Sequence, residues 1–204
     1  MPSCPVHAAA LTCHPESPGG AVRSIDVRVV RSPRGTLAVT FTLEGDLDRV
    51  RVPVPRPPRI AARLWQHTCC EIFIARKGLP AYHEFNLAPS GEWAAYAFER
   101  YRDGEPFAGG LAAAKLDPQV TVRDAAGKLE LDALIRLDRL SPMHSGAKLS
   151  LALSAVVEDR EGLLSYWALK HPSGKPDFHH VDAFAMELAG ADSSPQQRVG
   201  RSAE

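Results

Sequence analysis

Apolar residues alternate with polar ones along most of the chain, which is the pattern of strands with one buried face. Ile25, Val27 and Val29 fall on one face of a first predicted strand. Residues 37–43 repeat the alternation, and the turn-forming residues 32–35 separate the two strands. No segment carries a long apolar stripe with helical spacing, so the dominant secondary structure is predicted to be β.

The same period of two predicts further strands in the rest of the chain. Short helical turns are expected at 108–115 and 138–143, and the proline-rich stretch 53–58 predicts a loop or a sheet edge. The 15 glycines and 17 prolines favour many turns over a helical bundle. Together these features predict an all-β fold, an antiparallel sandwich of about ten strands of the immunoglobulin or jelly-roll type. The further strands are predicted at 68–75, 82–88, 92–99, 119–124, 129–136, 148–158, 164–169 and 182–188.

Periodicity also divides the chain into a single domain with two irregular ends. The domain is predicted to span 21–189, whereas 1–20 and 190–204 lack periodicity and are predicted to be disordered. The 24 basic residues balance the 24 acidic ones, so no nucleic-acid partner is predicted. No apolar run approaches the roughly 18 residues of a membrane span. Residues 1–20 lack the features of a signal peptide, and the four cysteines are too few for a disulfide scaffold, so a reduced cytoplasmic protein is expected.

A polar patch is predicted on two neighbouring strands. By alternation, Glu71 lies on one face of its strand, and Glu84 shares a face with Asn86 on the next. Carboxylate and amide groups hydrogen-bond the hydroxyls of a sugar, and nearby aromatic faces stack on its C–H face. The alternative is that both glutamates are solvated outer-face residues or pair with Arg63 and Arg100.

A second group of candidate ligand residues, histidines and aspartates, lies in the Pro- and Gly-rich segment 170–182. His179, His180 and Asp182 could contribute to a metal site with either Cys69 or Cys70. The chain has no Cys-x-x-Cys or His-x-x-x-His spacing, however, so no metal is predicted. The two carboxyl groups of the polar patch are also the residue type of a glycosidase pair. A flat sheet without large catalytic loops, and a chain without a Gly-x-Ser-x-Gly elbow, lead us to predict no enzymatic activity.

An ordered set of motifs resembles the DOMON-like domain, whose superfamily includes the family 9 carbohydrate-binding modules. The set covers about residues 22–189, and its order along the chain carries the resemblance. The resemblance implies a sandwich of roughly ten strands that binds either a sugar or haem, and it implies no catalysis. In chain order the motifs are Trp65–Ile74, Tyr82-x-Glu84-Phe85-Asn86, Pro89–Trp93, Leu134–Leu140, Gly146, Leu149–Val157, Trp167, Pro176–His180 and Phe184–Leu188.

The sugar-binding members hold their ligand between two tryptophans. Trp65 and Trp167 match those positions here, and Trp93 could replace either of them. The expected function is therefore non-catalytic binding of a sugar or glycoconjugate by aromatic stacking. The groups expected to bind its hydroxyls are Glu71, Glu84 and Asn86, with His179 at the loop rim.

Two alternatives belong to other functional classes. A haem-binding electron-transfer or sensor domain would use axial side chains such as Met143 and His171. A protein-interaction module would keep the fold, bind a protein partner and take no small ligand. The principal expectation needs no cofactor, whereas the first alternative needs haem.

Overall fold

The computed structural model describes residues 4–17, 20–106, 115–141, 144 and 146–190. In these ranges twelve strands form the molecule, with one helical turn, α1 (Leu137–Leu140), and short 3-10 turns. None of the helices in the same ranges is long and apolar enough to cross a membrane. The strands are β1 (Val6–Cys13), β2 (Val22–Arg31), β3 (Thr36–Gly45), β4 (Cys69–Arg76), β5 (Tyr82–Leu87), β6 (Trp93–Arg100), β7 (Asp103–Pro106), β8 (Gln119–Ala125), β9 (Lys128–Arg136), β10 (Leu149–Glu158), β11 (Leu164–Ala168) and β12 (Met186–Leu188).

The strands form two antiparallel layers joined through β1. The first layer has the order β1-β2-β3-β9-β8, and the second has the order β7-β6-β5-β4-β10-β11, with β12 also paired to β10. The start of β1 pairs with β2, whereas its last residues, Thr12 and Cys13, pair with β11. The predicted all-β antiparallel sandwich is confirmed, with twelve strands in the described ranges because β1 and β7 add to the ten expected.

The main core lies between the two layers. Ile25, Val27 and Val29 of β2 are buried there, as the alternation predicts. The second layer contributes alternate residues such as Ile72 of β4 and Phe85 of β5. Burial of these aliphatic and aromatic side chains supplies the main driving force for joining the layers.

The second layer is buried on its outer face as well. Phe73 of β4 and Val156 of β10 point away from the main core into a smaller cluster, which the segment 171–184 covers through Phe178 and Ala183. Both faces of β4 and β10 are therefore covered, and these strands show almost continuous burial instead of alternation. The candidate site lies where this cover is incomplete.

The prediction of a disordered segment at 1–20 was wrong for residues 6–13, which form β1. Its pairing with β2 runs from Val6 to Leu11, so backbone hydrogen bonds hold the strand in place. Most of its side chains are small, and Leu11 is its one fully buried apolar residue, which explains the weak signal. Most of the predicted tail, 191–204, lies outside the described residues.

The predicted strand 182–188 is also corrected. It consists of a 3-10 turn at Val181–Ala183 followed by the three-residue strand β12. The backbone N–H of Asp182 donates to Nδ1 of His180, which caps the turn and interrupts the extended chain. Of the two predicted helical turns, 138–143 corresponds to α1, and all but the last residue of 108–115 lies outside the described residues.

Candidate ligand-binding cleft

A cleft of about 480 Å³ opens on the outer face of the second layer. Its floor consists of side chains that alternate away from the main core on β4, β5, β6, β10 and β11. Its walls are the 3-10 turn Leu64–Gln66 on one side and the loop 176–179 on the other. The aromatic side chains that line it are Trp65, Tyr96, Phe98, Tyr166 and Phe178.

Strand register brings the polar patch together on the cleft floor. Glu71 of β4 lies opposite Asn86 of β5, and Glu84 of β5 lies opposite Tyr96 of β6. Because directly opposed residues in an antiparallel sheet point to the same face, all four side chains share the outer face. The alternation read from the sequence therefore placed Glu71, Glu84 and Asn86 on the correct face.

The two glutamates are buried and have few partners. Glu71 is 3% exposed and Glu84 is 5% exposed, yet both line the cleft. Nδ2 of Asn86 donates to Oε1 of Glu84 at 2.7 Å, and Oγ of Ser154 lies 3.4 Å from Oε2 of Glu71. The alternative pairing with Arg63 or Arg100 is not formed, since Arg100 pairs with Asp103 at 2.6 Å.

Asn86 has a different position from the one expected. It is 0% exposed and lies beneath the cleft surface, where its Oδ1 is 3.8 Å from Sγ of Cys69. Its amide donates to Glu84 and so fixes the orientation of that carboxyl group. Asn86 is therefore a positioning residue and does not line the cleft.

Burial changes the protonation of these groups. Burial and the neighbouring Glu84 carboxyl raise the pKa of Glu71 well above its usual range. Burial raises the pKa of Glu84 from 4.5 to about 7. Burial, together with the Arg102 guanidinium, lowers the pKa of His179 from 6.5 to about 4. At neutral pH His179 is therefore neutral, and the two buried carboxyl groups together retain protons that exposed glutamates would have released.

His179 links the cleft wall to the sheet. Its Nδ1 is 2.9 Å from the Tyr82 hydroxyl, and its Nε2 is 3.8 Å from Oε2 of Glu84. The ring also packs edge-on against Phe73 and Phe98. His179 was expected at the loop rim, and the structure places it in the loop wall beside the polar patch.

Arg102 is a cleft residue that the sequence reasoning missed. Its Nη2 donates to Oδ1 of Asp177 at 2.8 Å, and the Tyr101 hydroxyl donates to the other carboxylate oxygen at 2.6 Å. These bonds fasten the loop 176–179 to the turn between β6 and β7. Tyr96 and Phe98 were missed as well, although the alternation that places Trp93 in the core assigns both of them to the opposite face.

Trp65 lies at the rim with 48% of its surface exposed. It belongs to the 3-10 turn Leu64–Gln66, which follows Arg63 in the left-handed conformation (φ 59°). His67 directly follows this turn, and its Nδ1 lies 2.7 Å from Oε2 of Glu158. The other carboxylate oxygen of Glu158 accepts a hydrogen bond from Nη1 of Arg51 at 2.9 Å. This ion-paired anchor holds the indole beside the cleft.

Trp167 does not face Trp65 across the cleft, so the expected stacking pair is not formed. Its side chain is 7% exposed in the core between the layers, and its Nε1 donates to Oγ of Ser165. The preceding residue, Tyr166, points the other way and lines the cleft. Trp93 is 5% exposed in the same core and does not replace it.

Of the two residues named for haem, His171 belongs to the described residues and does not line the cleft. Met143 lies outside the described residues. Nε2 of His171 is 2.8 Å from the Thr12 carbonyl oxygen, and its ring packs against His14, so this nitrogen is engaged. Haem stays a prediction. In the described part of the chain, no three His, Cys, Asp or Glu side chains are arranged to hold a metal ion.

Comparisons with known proteins give similarity at the level of fold. No protein-family model matches the chain, and no curated protein matches it. A solved candidate carbohydrate-binding protein of Bacteroides uniformis is similar with a TM-score of 0.60 and 14% identity, over 89% of this chain and 84% of its own.

Two structures of a family 9 carbohydrate-binding module of Caldicellulosiruptor kristjanssonii are more distantly similar, each at 13% identity. The complex with cellotriose has a TM-score of 0.42 over 74% of this chain and 67% of its own. The complex with glucose has a TM-score of 0.46 over 84% and 80%. The TM-score of 0.60 shows that this chain shares its fold with the Bacteroides uniformis protein.

Proposed function

We propose that this protein is a DOMON-like carbohydrate-binding domain that binds its ligand in the cleft without catalysis. The observation that carries the proposal is the half-exposed Trp65 beside a recessed pair of glutamates on a rigid sheet. A flat indole at the rim and polar groups at the floor are the two elements that a pyranose needs: a stacking surface and hydrogen-bond partners.

The sugar ring would stack on Trp65 and place its hydroxyls toward the floor. The carboxyl of Glu71 can donate a hydrogen bond while it holds a proton, whereas Glu84 can accept one when it is ionised. Arg102, which also lines the cleft, supplies further N–H donors. The description of the Bacteroides neighbour as a candidate carbohydrate-binding protein agrees with this proposal.

Isothermal titration calorimetry with glucose, cellobiose and a panel of other glycans tests the proposal. Trp65→Ala should weaken binding about tenfold or more, because it removes the stacking surface and its apolar contact area. Leu134→Ala is the matched control, since Leu134 is 46% exposed on β9 in the other layer. Equal affinity of Trp65→Ala and wild type, or no binding of any glycan by the wild type, would overturn the proposal.

A further inference from the structure

We infer that the sugar recognised in this cleft carries a protonated amine, as a free amino sugar does. This inference rests on the proposed function and names the ligand chemistry of the same site. It comes from the charges on the cleft floor and from the aromatic rings around them.

The floor contains more carboxyl groups than cations to neutralise them. Within the described residues, Glu71 has no ion pair, and Glu84 has only the 3.8 Å approach of the His179 ring. Arg102 is the cation that lines the cleft. Its charge opposes the rise in pKa of both glutamates, but its ion pair, at 2.8 Å, is with Asp177 and not with either of them. The cleft therefore has room for one more positive charge, which a ligand would supply.

Glu71 also has an oxygen directed at no protein donor. Its single side-chain hydrogen bond in the described structure is the long contact from Ser154 to Oε2, which leaves Oε1 without one. Glu71 is only 3% exposed and still lines the cleft, so its carboxyl group is placed to meet a ligand. An ammonium group has three N–H donors and no acceptor, which suits two carboxyl groups whose protein donors are only the Asn86 amide and the long contact from Ser154.

The walls around the carboxyl groups also suit a cation. Tyr96, Phe98 and Tyr166 line the same cleft, and Tyr82 stacks on Phe98 with ring centroids 4.7 Å apart. Aromatic faces attract cations, and the attraction grows where the rings exclude water. A neutral hydroxyl gains nothing comparable from these rings, so the cleft should discriminate between an amine and a hydroxyl on otherwise identical sugars.

Binding of the cation should also release a proton. Burial raises the pKa of both glutamates, so the empty cleft retains protons near neutral pH. A bound ammonium group favours the ionised carboxylates and displaces part of that proton population into the solvent. Titrations in two buffers that differ in ionisation enthalpy measure this release directly.

The test compares glucosamine, glucose and N-acetylglucosamine by calorimetry on the full chain, at a pH below the pKa of the sugar amine. Glucosamine should bind about tenfold or more tightly than glucose, with proton release, because a charge-assisted hydrogen bond replaces a neutral one. N-acetylglucosamine, in which the charge is removed, should show no such advantage. In Glu71→Gln and Glu84→Gln the ratio of glucosamine to glucose affinity should fall toward one, whereas Glu130→Gln on β9 should keep the wild-type ratio.

The outcomes separate this inference from the proposed function. If glucose and glucosamine bind equally and the binding depends on Trp65, the amine preference is refuted and carbohydrate binding stands. If no sugar binds, both proposals fail. If glucosamine is preferred but the two Gln variants keep the wild-type ratio, the carboxyl pair is not the source of the preference and the inference is overturned.

Discussion

Replacing Glu84 with glutamine should stabilise the protein at neutral and alkaline pH and should leave its stability nearly unchanged at acidic pH. The variant keeps an oxygen that accepts the 2.7 Å hydrogen bond from Asn86. It removes a charge from a side chain that is 5% exposed and has no Lys or Arg partner in the described structure. The geometry is therefore conserved while the electrostatic cost of a buried carboxylate is removed.

The magnitude follows from the pKa of Glu84, which burial raises from 4.5 to about 7. The folded state then holds a proton that the unfolded chain releases at lower pH, so the wild type loses stability as the pH rises from 4.5 through 7. The loss is complete above the folded pKa and amounts to about 3 kcal/mol. The variant, which has no ionisable group at this position, should exceed the wild type by about that amount near pH 8.

The difference between the two proteins is more informative than the wild-type profile alone. Burial lowers the pKa of His83 and His179 from 6.5 to about 4. Both histidines therefore reduce the stability of the fold as the pH falls from 6.5 to 4, whereas Glu84 reduces it as the pH rises. Urea denaturation of wild type and Glu84→Gln across this range cancels the histidine contributions. Glu105→Gln, on the exposed strand β7, is the control. A Glu84→Gln difference that is constant with pH, or that favours the wild type at high pH, would refute the reasoning.

Two further predictions concern the residues that hold the cleft in place. Trp167→Ala should lower the free energy of unfolding by about 3–5 kcal/mol in urea, because it empties a site between the layers; a loss no larger than that of an exposed residue would contradict the core placement. Glu158→Gln should weaken the contacts with Arg51 and His67 and speed the hydrogen exchange of residues 64–68. Unchanged exchange there would show that the anchor does not hold the turn that carries Trp65.

Local alternation predicted the fold and the floor of the cleft because both depend on which face a residue occupies. Glu71 and Glu84 lie on the predicted face since the period of a strand is fixed at two. The same rule left Trp167 undecided, because both faces of its layer carry buried apolar side chains and periodicity does not say which of them is the main core. The resemblance paired it with Trp65, and the structure instead directs its neighbour Tyr166 into the cleft.

The loop 176–179 shows why the walls of the cleft were harder to predict than its floor. It is held by contacts between residues distant in sequence, such as Tyr101 with Asp177 and Tyr82 with His179, and short-range patterns do not report these. The floor beneath the loop contains a carboxyl pair that destabilises the fold at neutral pH, although an apolar pair would pack there without that cost. Such a conflict between stability and local chemistry is typical of a functional site. The buried pair of Glu71 and Glu84, which lowers the stability of the fold, is therefore the strongest indication of where a ligand binds.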